Sequence, residues 1–152
     1  TPKSARRKSR EMALQGVYEW LLNGSDVGVI VAHTRERQPT IKMDEPHFMA
    51  LLEGIVKGQA ALDEAITPHL DRPMKELSPI EHGVLLMGTY ELQHCLDVPW
   101  RVVLNECIEL TKSFGGTDGH KYVNGVLNKL GKALRPNELD QRNSTNMAVT
   151  PS

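Results

Sequence analysis

Apolar residues along this chain recur at intervals of three and four, the period of a helix with one buried face. Alternating β-branched runs are absent; the nearest, Val27 to Val31, is short and holds Gly28. The first helical stretch runs from about Ser4 to Asn23, with Ala13, Val17, Trp20 and Leu21 on its apolar face and Asn23-Gly24 as its stop. A weaker amphipathic stretch follows from about Ser25 to Arg37 and is closed by Pro39. Asp44 then caps a long helix with Pro46 in its first turn, and its face is Phe48, Leu52, Ile55, Leu62 and Ile66. Pro68 stops or kinks that helix, and Arg72 to Glu76 predicts one short helical turn.

Ser78-Pro79-Ile80-Glu81 is a strong start signal, with Ser at the N-cap, Pro at the first helical position and Glu closing a capping box. The helix it opens reaches about Cys95, with Ile80, Val84, Leu85, Met87 and Leu92 inward. Pro99 starts another, with the stripe Val103, Cys107, Leu110 and Phe114, and Gly115-Gly116 ends it. Asp118 can cap the last helix, where Val123, Val126, Leu127, Leu130 and Leu134 face in and Pro136 closes the run. From Glu138 to Ser152 the chain is polar and aperiodic, which predicts a disordered tail. The expected fold is therefore all-α: a compact bundle of six to seven helices over residues 1–137, in two subdomains. The first of these ends near residue 70, and the second holds three helices joined by short linkers.

Composition narrows the function classes. At 152 residues the chain has a one-domain length. No apolar run approaches the roughly 20 residues that cross a bilayer, and the basic start leads into no signal-type stretch. A cytoplasmic location without membrane contact is the expectation. Cys95 and Cys107 lie in apolar periodic segments and read as buried thiols. His33, His47, His69, His82, His94 and His120 are scattered without ligand spacing, so no metal is expected. No phosphate loop, Rossmann glycine pattern or nucleophile–base pairing is present, and neither a cofactor nor an enzymatic activity is expected. Glu91 and Glu106 fall among apolar neighbours; a structural role together with Asn105, across a helix crossing, is the expectation for them.

Charge adds one feature. The net charge is -1, yet Lys3, Arg6, Arg7, Lys8 and Arg10 crowd the first ten residues with no acid among them. Such asymmetry suggests a basic arm that meets a polyanion, the alternative being a solvated terminus. Arg6 and Arg10 are four residues apart on the first helix, as are Lys3 and Arg7, so each pair shares a face. Guanidinium groups offer phosphate a planar, two-pronged donor set. Sequence selection needs more, because single-stranded RNA is read by stacking and by hydrogen bonds to base edges. Phe114 to Tyr122 offers such groups: two glycines, then Asp118, His120 and Lys121 beside a helix start, and the Tyr122 ring. For Asp118 the plain reading is a helix cap, and for Phe114 a core position.

Four pieces of the chain, in order, resemble the NusB family. They are Ala5-Arg6-Arg7-Lys8-Ser9-Arg10-Glu11-Met12-Ala13-Leu14-Gln15; Tyr90-Glu91-Leu92; Asp97-Val98-Pro99 with Leu104 through Phe114; and Asp118-Gly119-His120-Lys121-Tyr122-Val123-Asn124-Gly125-Val126-Leu127. The likeness covers about residues 5 to 136. Gly16 departs from it, standing where a helix former is usual, and the tail is longer than the family core needs. The resemblance implies an all-helical transcription antitermination factor. It implies binding to boxA-type single-stranded RNA of ribosomal RNA leaders together with the small-subunit ribosomal protein NusE. It also implies support of RNA polymerase processivity. On that reading Lys3, Arg6, Arg7, Lys8, Arg10, Phe114, Asp118, His120, Lys121 and Tyr122 form the RNA surface. Tyr18, Glu19, Glu76 and Glu81 form a surface for the basic ribosomal protein, although Glu81 also has its capping-box role. A homodimeric helical adaptor, with RNA binding secondary, is the alternative.

Overall fold

The computed structural model describes residues 3–115 and 118–138, and the regular elements among them are all helical. Helix α1 spans Lys3–Asn23, α2 Val27–Arg37, α3 Glu45–Ile66, α4 Pro79–His94, α5 Trp100–Phe114 and α6 Gly119–Leu134. Two single 3-10 turns, Thr67–His69 and Met74–Glu76, link α3 to α4. The all-α expectation with six to seven helices therefore stands.

The helix ends have local causes. Gly24, at φ +68°, stops α1, and its N–H donates to Trp20 O at 2.8 Å. Asp44 caps α3 by accepting from His47 N at 3.1 Å. The capping box at α4 is complete: Glu81 N donates to Ser78 Oγ at 3.1 Å, and Ser78 N donates to Glu81 Oε1 at 3.0 Å. Asp118 departs from expectation. It precedes α6 in near-helical conformation, and its side chain makes no cap bond. The exposed carboxylate lies 3.5 Å from Lys121 Nζ instead.

Helices α1 and α3 pack together and against α4, while α5 and α6 pack together on another side of α4, and α2 lies on α1. The two halves thus share α4, and their apolar residues form one continuous core from Met12 and Leu14 through Leu85 and Met87 to Leu127 and Leu130. The departure at Gly16 has a packing reason. A Cβ there would stand 2.8 Å from Ile30 Cγ2 and 3.2 Å from Leu52 Cδ1, so the bare backbone lets α2 and α3 close on α1.

A buried guanidinium fixes the turn between α4 and α5. Arg135 donates to Leu92 O at 2.8 Å and Val98 O at 2.9 Å, and to Glu91 O and Cys95 O at 3.1 Å each. It thereby adds a donor at the end of α4, where a positive charge is favoured by the helix dipole, and Glu91 O and Cys95 O accept it in addition to the N–H groups of Cys95 and Val98. Glu138 completes the clasp, accepting from Arg135 at 2.6 Å and from Trp100 N at 2.9 Å. This corrects the tail boundary: Glu138 belongs to the fold. Residues 139–152, the rest of the expected tail, lie outside the described range.

Candidate nucleic-acid interface

The basic arm is the start of α1, and it is stitched to the start of α3. Ser9, fully buried, sits at the seam: its Oγ lies 2.8 Å from Asp44 O and 2.9 Å from Ala5 O, and it accepts from Asp44 N at 2.8 Å. Asp44 N also reaches Ala5 O at 3.2 Å. The arm is therefore held in helical form against the body.

Each described cation of the arm meets an acid. Arg6 Nε lies 3.4 Å from Asp44 Oδ2 and its Nη1 3.4 Å from Asp97 Oδ2. Arg7 grips Glu106 with two bonds of 3.1 and 2.7 Å, which raises the Arg7 pKa further. Lys8 pairs with Glu11 at 2.9 Å. Arg10 holds Glu91 with bonds of 2.8 and 3.0 Å and lies 3.7 Å from Glu106. Four cations thus face five carboxylates, Glu11, Asp44, Glu91, Asp97 and Glu106, and the excess charge read along the sequence is matched in the folded chain, partly inside it. Lys3 opens α1, but its side chain lies outside what is described.

Arg10 requires a correction. It is 3% exposed, and its guanidinium is spent on buried Glu91, so it offers no donor to a phosphate. Its environment is that of a core ion pair. Burial works against the charge on Glu91, but hydrogen bonds from His47 and Arg10 outweigh it and hold the carboxyl below its ordinary pKa. His47 Nε2 lies 3.3 Å from Glu91 Oε2. The structural role expected for Glu91 and Glu106 is met by this cluster, while Asn105 is exposed and stands apart from it. The sequence held a signal: Arg10 shares a helical face with Ala13, Leu14 and Val17, all buried.

Arg6, Arg7 and Lys8 remain partly open, with side chains about 33%, 50% and 43% exposed. Ser4, Arg7, Lys8 and Glu11 line one shallow depression, on one face of α1. Between the arm and the α4–α5 turn lies a second cleft of about 310 Å³, lined by Arg6, Arg10, Asp97, Val98, Pro99, Val102 and Glu106.

The arm shares a small depression with the end of α5, lined by Arg7, Glu11, Glu106, Glu109, Leu110 and Ser113, just before the segment expected to complete the RNA surface. No hydrogen bond or ion pair among the described residues joins Asp118, His120, Lys121 or Tyr122 to the arm. The start of α6 lies instead against the chain between α3 and α4. Arg72 covers the Tyr122 ring at 4.0 Å from its centroid, and Glu81 Oε2 sits beside Gly119. Burial raises the Tyr122 pKa. His69, Asp71, Lys121, Tyr122, Gly125, Val126 and Lys129 surround a small hollow there of about 160 Å³. His120 Nδ1 is buried without a partner among the described residues. Arg72 and Lys129 were missed at the level of sequence; only the fold brings them beside Tyr122.

Phe114 is also placed differently from expectation. It is 39% exposed and lines a groove of about 400 Å³ with Leu14, Gln15, Tyr18, Glu19, Arg37 and Ile80. It thus joins the residues expected to meet a protein rather than the basic arm. Glu19 is partly committed there, with His33 Nδ1 at 2.7 Å and Arg37 at 4.0 Å. Glu81 closes its capping box next to Ile80 on that rim. Glu76, on a 3-10 turn, is exposed and does not line the groove.

The thiols are free: Cys107 is buried, and burial pushes its pKa up. Cys95 is only partly buried, and burial pushes its pKa up to about 11. Among the described residues no group of three or more His, Cys, Asp or Glu is arranged to hold a metal. None of the described helices is long and apolar enough to cross a membrane.

A family model described as the NusB family matches residues 7–132. A transcription antitermination protein NusB of Ralstonia pickettii is 56% identical over 140 residues, covering 92% of this chain and 90% of that protein. A protein of the same name from Thiobacillus denitrificans is 51% identical over 136 residues, covering 90% of this chain and 94% of that one. Among solved structures, antitermination factors NusB and NusE in complex with double-stranded RNA provide a match with a TM-score of 0.78. That match has 25% identity and covers 87% of this chain and 99% of the other. α1 from Arg7 onward, the α4–α5 turn and the start of α6 fall within the family match, and the chain belongs to the NusB family of transcription antitermination factors, which are not enzymes.

Proposed function

We propose that this protein acts in transcription antitermination by binding boxA-type single-stranded RNA of ribosomal RNA leaders together with the ribosomal protein NusE. The complex then joins RNA polymerase, in the cytoplasm. The observation that carries the reading is the row of three partly open cations, Arg6, Arg7 and Lys8, at the start of α1 in a chain of net charge -1. The pairs of Arg6 with Asp97 and of Lys8 with Glu11 are partly exposed on both sides, and such pairs are worth roughly 0–1 kcal/mol, so phosphates can replace those carboxylates at small cost, while Arg7 meets phosphate on its open side and keeps its bonds to buried Glu106. Asp118, His120, Lys121 and Tyr122, with Arg72, form a second RNA contact at the start of α6. Tyr18, Glu19 and Phe114 in the apolar groove take the ribosomal protein, Glu19 and Glu81 supplying charge that complements a basic partner.

A mobility-shift titration with boxA RNA, with and without NusE, over a salt series tests this. Three phosphate contacts from the arm correspond to a salt slope of roughly 2, at about 0.7 per contact. Arg6→Ala with Arg7→Ala flattens that slope and leaves the helical signal intact. Salt-insensitive RNA binding, or none in either condition, overturns the reading. Light scattering with and without RNA tests the homodimeric adaptor: a dimer that RNA does not dissociate favours it.

A further inference from the structure

We infer that the cleft between the start of α1 and the α4–α5 turn is a nucleobase subsite, with Asp97 as its base-selecting residue. The inference rests on the RNA-binding reading above and deepens it.

The cleft joins three chemistries that a single unstacked base needs. Its wall is apolar: Val98, Pro99 and Val102 come together there, and Val102 is 37% exposed although it sits beside the core stripe of α5. Its volume, about 310 Å³, lies at the small end of the roughly 300–1,000 Å³ typical of ligand clefts. Arg6 forms the rim on the α1 side and continues the row of cations that faces phosphate. A guanidinium plane beside an aliphatic wall is a stacking platform, and bases splayed from single-stranded RNA use such platforms.

Asp97 supplies the third element. Its side chain is 69% exposed, and its described partner is Arg6 at 3.4 Å, a long bond that leaves acceptor capacity open. A carboxylate only accepts hydrogen bonds, so it favours an edge that bears an exocyclic amino group, such as that of cytosine, over one that presents carbonyl oxygens. The other acid of the cleft cannot take this role. Glu106 is 4% exposed, and its oxygens are engaged by Arg7 at 2.7 and 3.1 Å. Arg10, the other cation in the cleft, is bound to Glu91. The turn that presents Asp97 is also rigid, because Arg135 holds Cys95 O and Val98 O on either side of it. That rigidity holds the acceptor at one place on the rim, so an amino group is rewarded only where the base edge meets it.

The test compares full-length protein binding to dodecamers of cytidine and of uridine at one fixed salt concentration. The wild type prefers the cytidine oligomer by about tenfold, within the roughly 1–3 kcal/mol that one well-made base contact supplies. Asp97→Asn, which can donate as well as accept, reduces that preference to about twofold or less, while the freeing of Arg6 raises affinity for both oligomers alike at low salt. Val102→Glu, which fills the cleft and adds negative charge, weakens both oligomers and leaves the circular-dichroism spectrum unchanged. Equal preference in the wild type and in Asp97→Asn overturns the subsite. So does a Val102→Glu variant that keeps its RNA affinity but loses binding to a protein partner. A wild type that binds neither oligomer but binds boxA RNA overturns only the subsite, whereas a wild type that binds no RNA removes the functional reading beneath it.

Discussion

Arg10 holds Glu91 through two hydrogen bonds, 2.8 and 3.0 Å long, with both side chains inside the protein. The pair joins α1 to α4, the helix common to both halves of the bundle. It also divides the arm by function. The outer cations Arg6, Arg7 and Lys8 are partly open to solvent, while the innermost one belongs to the core. Glu106 bridges the two sets, bound by Arg7 and lying 3.7 Å from Arg10.

Arg10→Ala is consequently a stability variant. Removing one partner of a buried pair leaves an uncompensated carboxylate and costs roughly 3–5 kcal/mol. For a domain of this size each 1 kcal/mol lowers the melting temperature by about 2–4 °C, so the variant melts about 10 °C below wild type. Calorimetry reads the shift. Replacing both Arg10 and Glu91 by apolar residues of similar volume costs much less, because no charge is stranded. A melting temperature unchanged by Arg10→Ala sinks the assignment.

Acid should loosen the same seam. Burial pushes the Asp44 pKa up, but the His47 N–H and Arg6 outweigh it, and the net shift is downward from 3.8. Glu91 is likewise lowered from 4.5. Both groups bind protons less readily folded than unfolded, so their contribution is present above the ordinary carboxylate range and fades as pH falls through the lowered values. The urea midpoint therefore drops below about pH 4.5. Asp44→Asn keeps a competent cap and removes the charge, so its acid loss is shallower than wild type. Parallel curves for the two proteins down to pH 3 exclude a role for Asp44.

How much of this could be read beforehand divides along a physical line. Helix positions and stops were legible because each has a local cause: Ser78 and Glu81 in a capping box, Gly24 at positive φ, Pro46 in a first turn. The arm was legible as charge, but not as a charged surface, since the acids that match it come from positions 38 to 99 residues away in sequence, Lys8–Glu11 excepted. Burial of Arg10 was readable from its place on the apolar face, though its basic neighbours drew it toward the wrong set. Arg135 gave no sign, because a cation after the last helical turn looks like any solvated terminus until its carbonyl partners are seen. Phe114 fits both a core stripe and an exposed groove, and periodicity alone cannot separate those.

Lys8 and Glu11 offer a clean test of competition within the arm. They form an (i, i+3) pair at 2.9 Å, both sides partly exposed. Glu11→Gln removes the acid without touching the core, and its effect on stability stays below about 1 kcal/mol. It frees Lys8 for phosphate, so affinity for boxA RNA rises about two- to threefold at low salt. The gain shrinks as ionic strength rises, since the Debye length falls to about 8 Å at physiological salt. A titration at two salt concentrations checks both parts, and equal affinity of variant and wild type at low salt refutes the competition.

Gly16 sets two effects of opposite sign against each other. It sits in the interior of α1, where alanine is favoured over glycine by about 1 kcal/mol of helix propensity. On that ground alone Gly16→Ala stabilises. The added Cβ, however, would stand 2.8 Å from Ile30 Cγ2 and 3.2 Å from Leu52 Cδ1. Ile30 and Leu52 are fully buried, one on α2 and the other on α3, so neither methyl can turn into solvent. Forcing extra carbon into such a contact costs about 1–3 kcal/mol. The packing effect therefore prevails, and Gly16→Ala loses up to about 2 kcal/mol by urea denaturation. Pairing it with Ile30→Leu, which moves the branch off Cβ and so removes the Cγ2 methyl that meets the new carbon, recovers part of the loss. If Gly16→Ala alone proves more stable than wild type, α2 yields readily, and its packing on α1 is looser than these distances indicate.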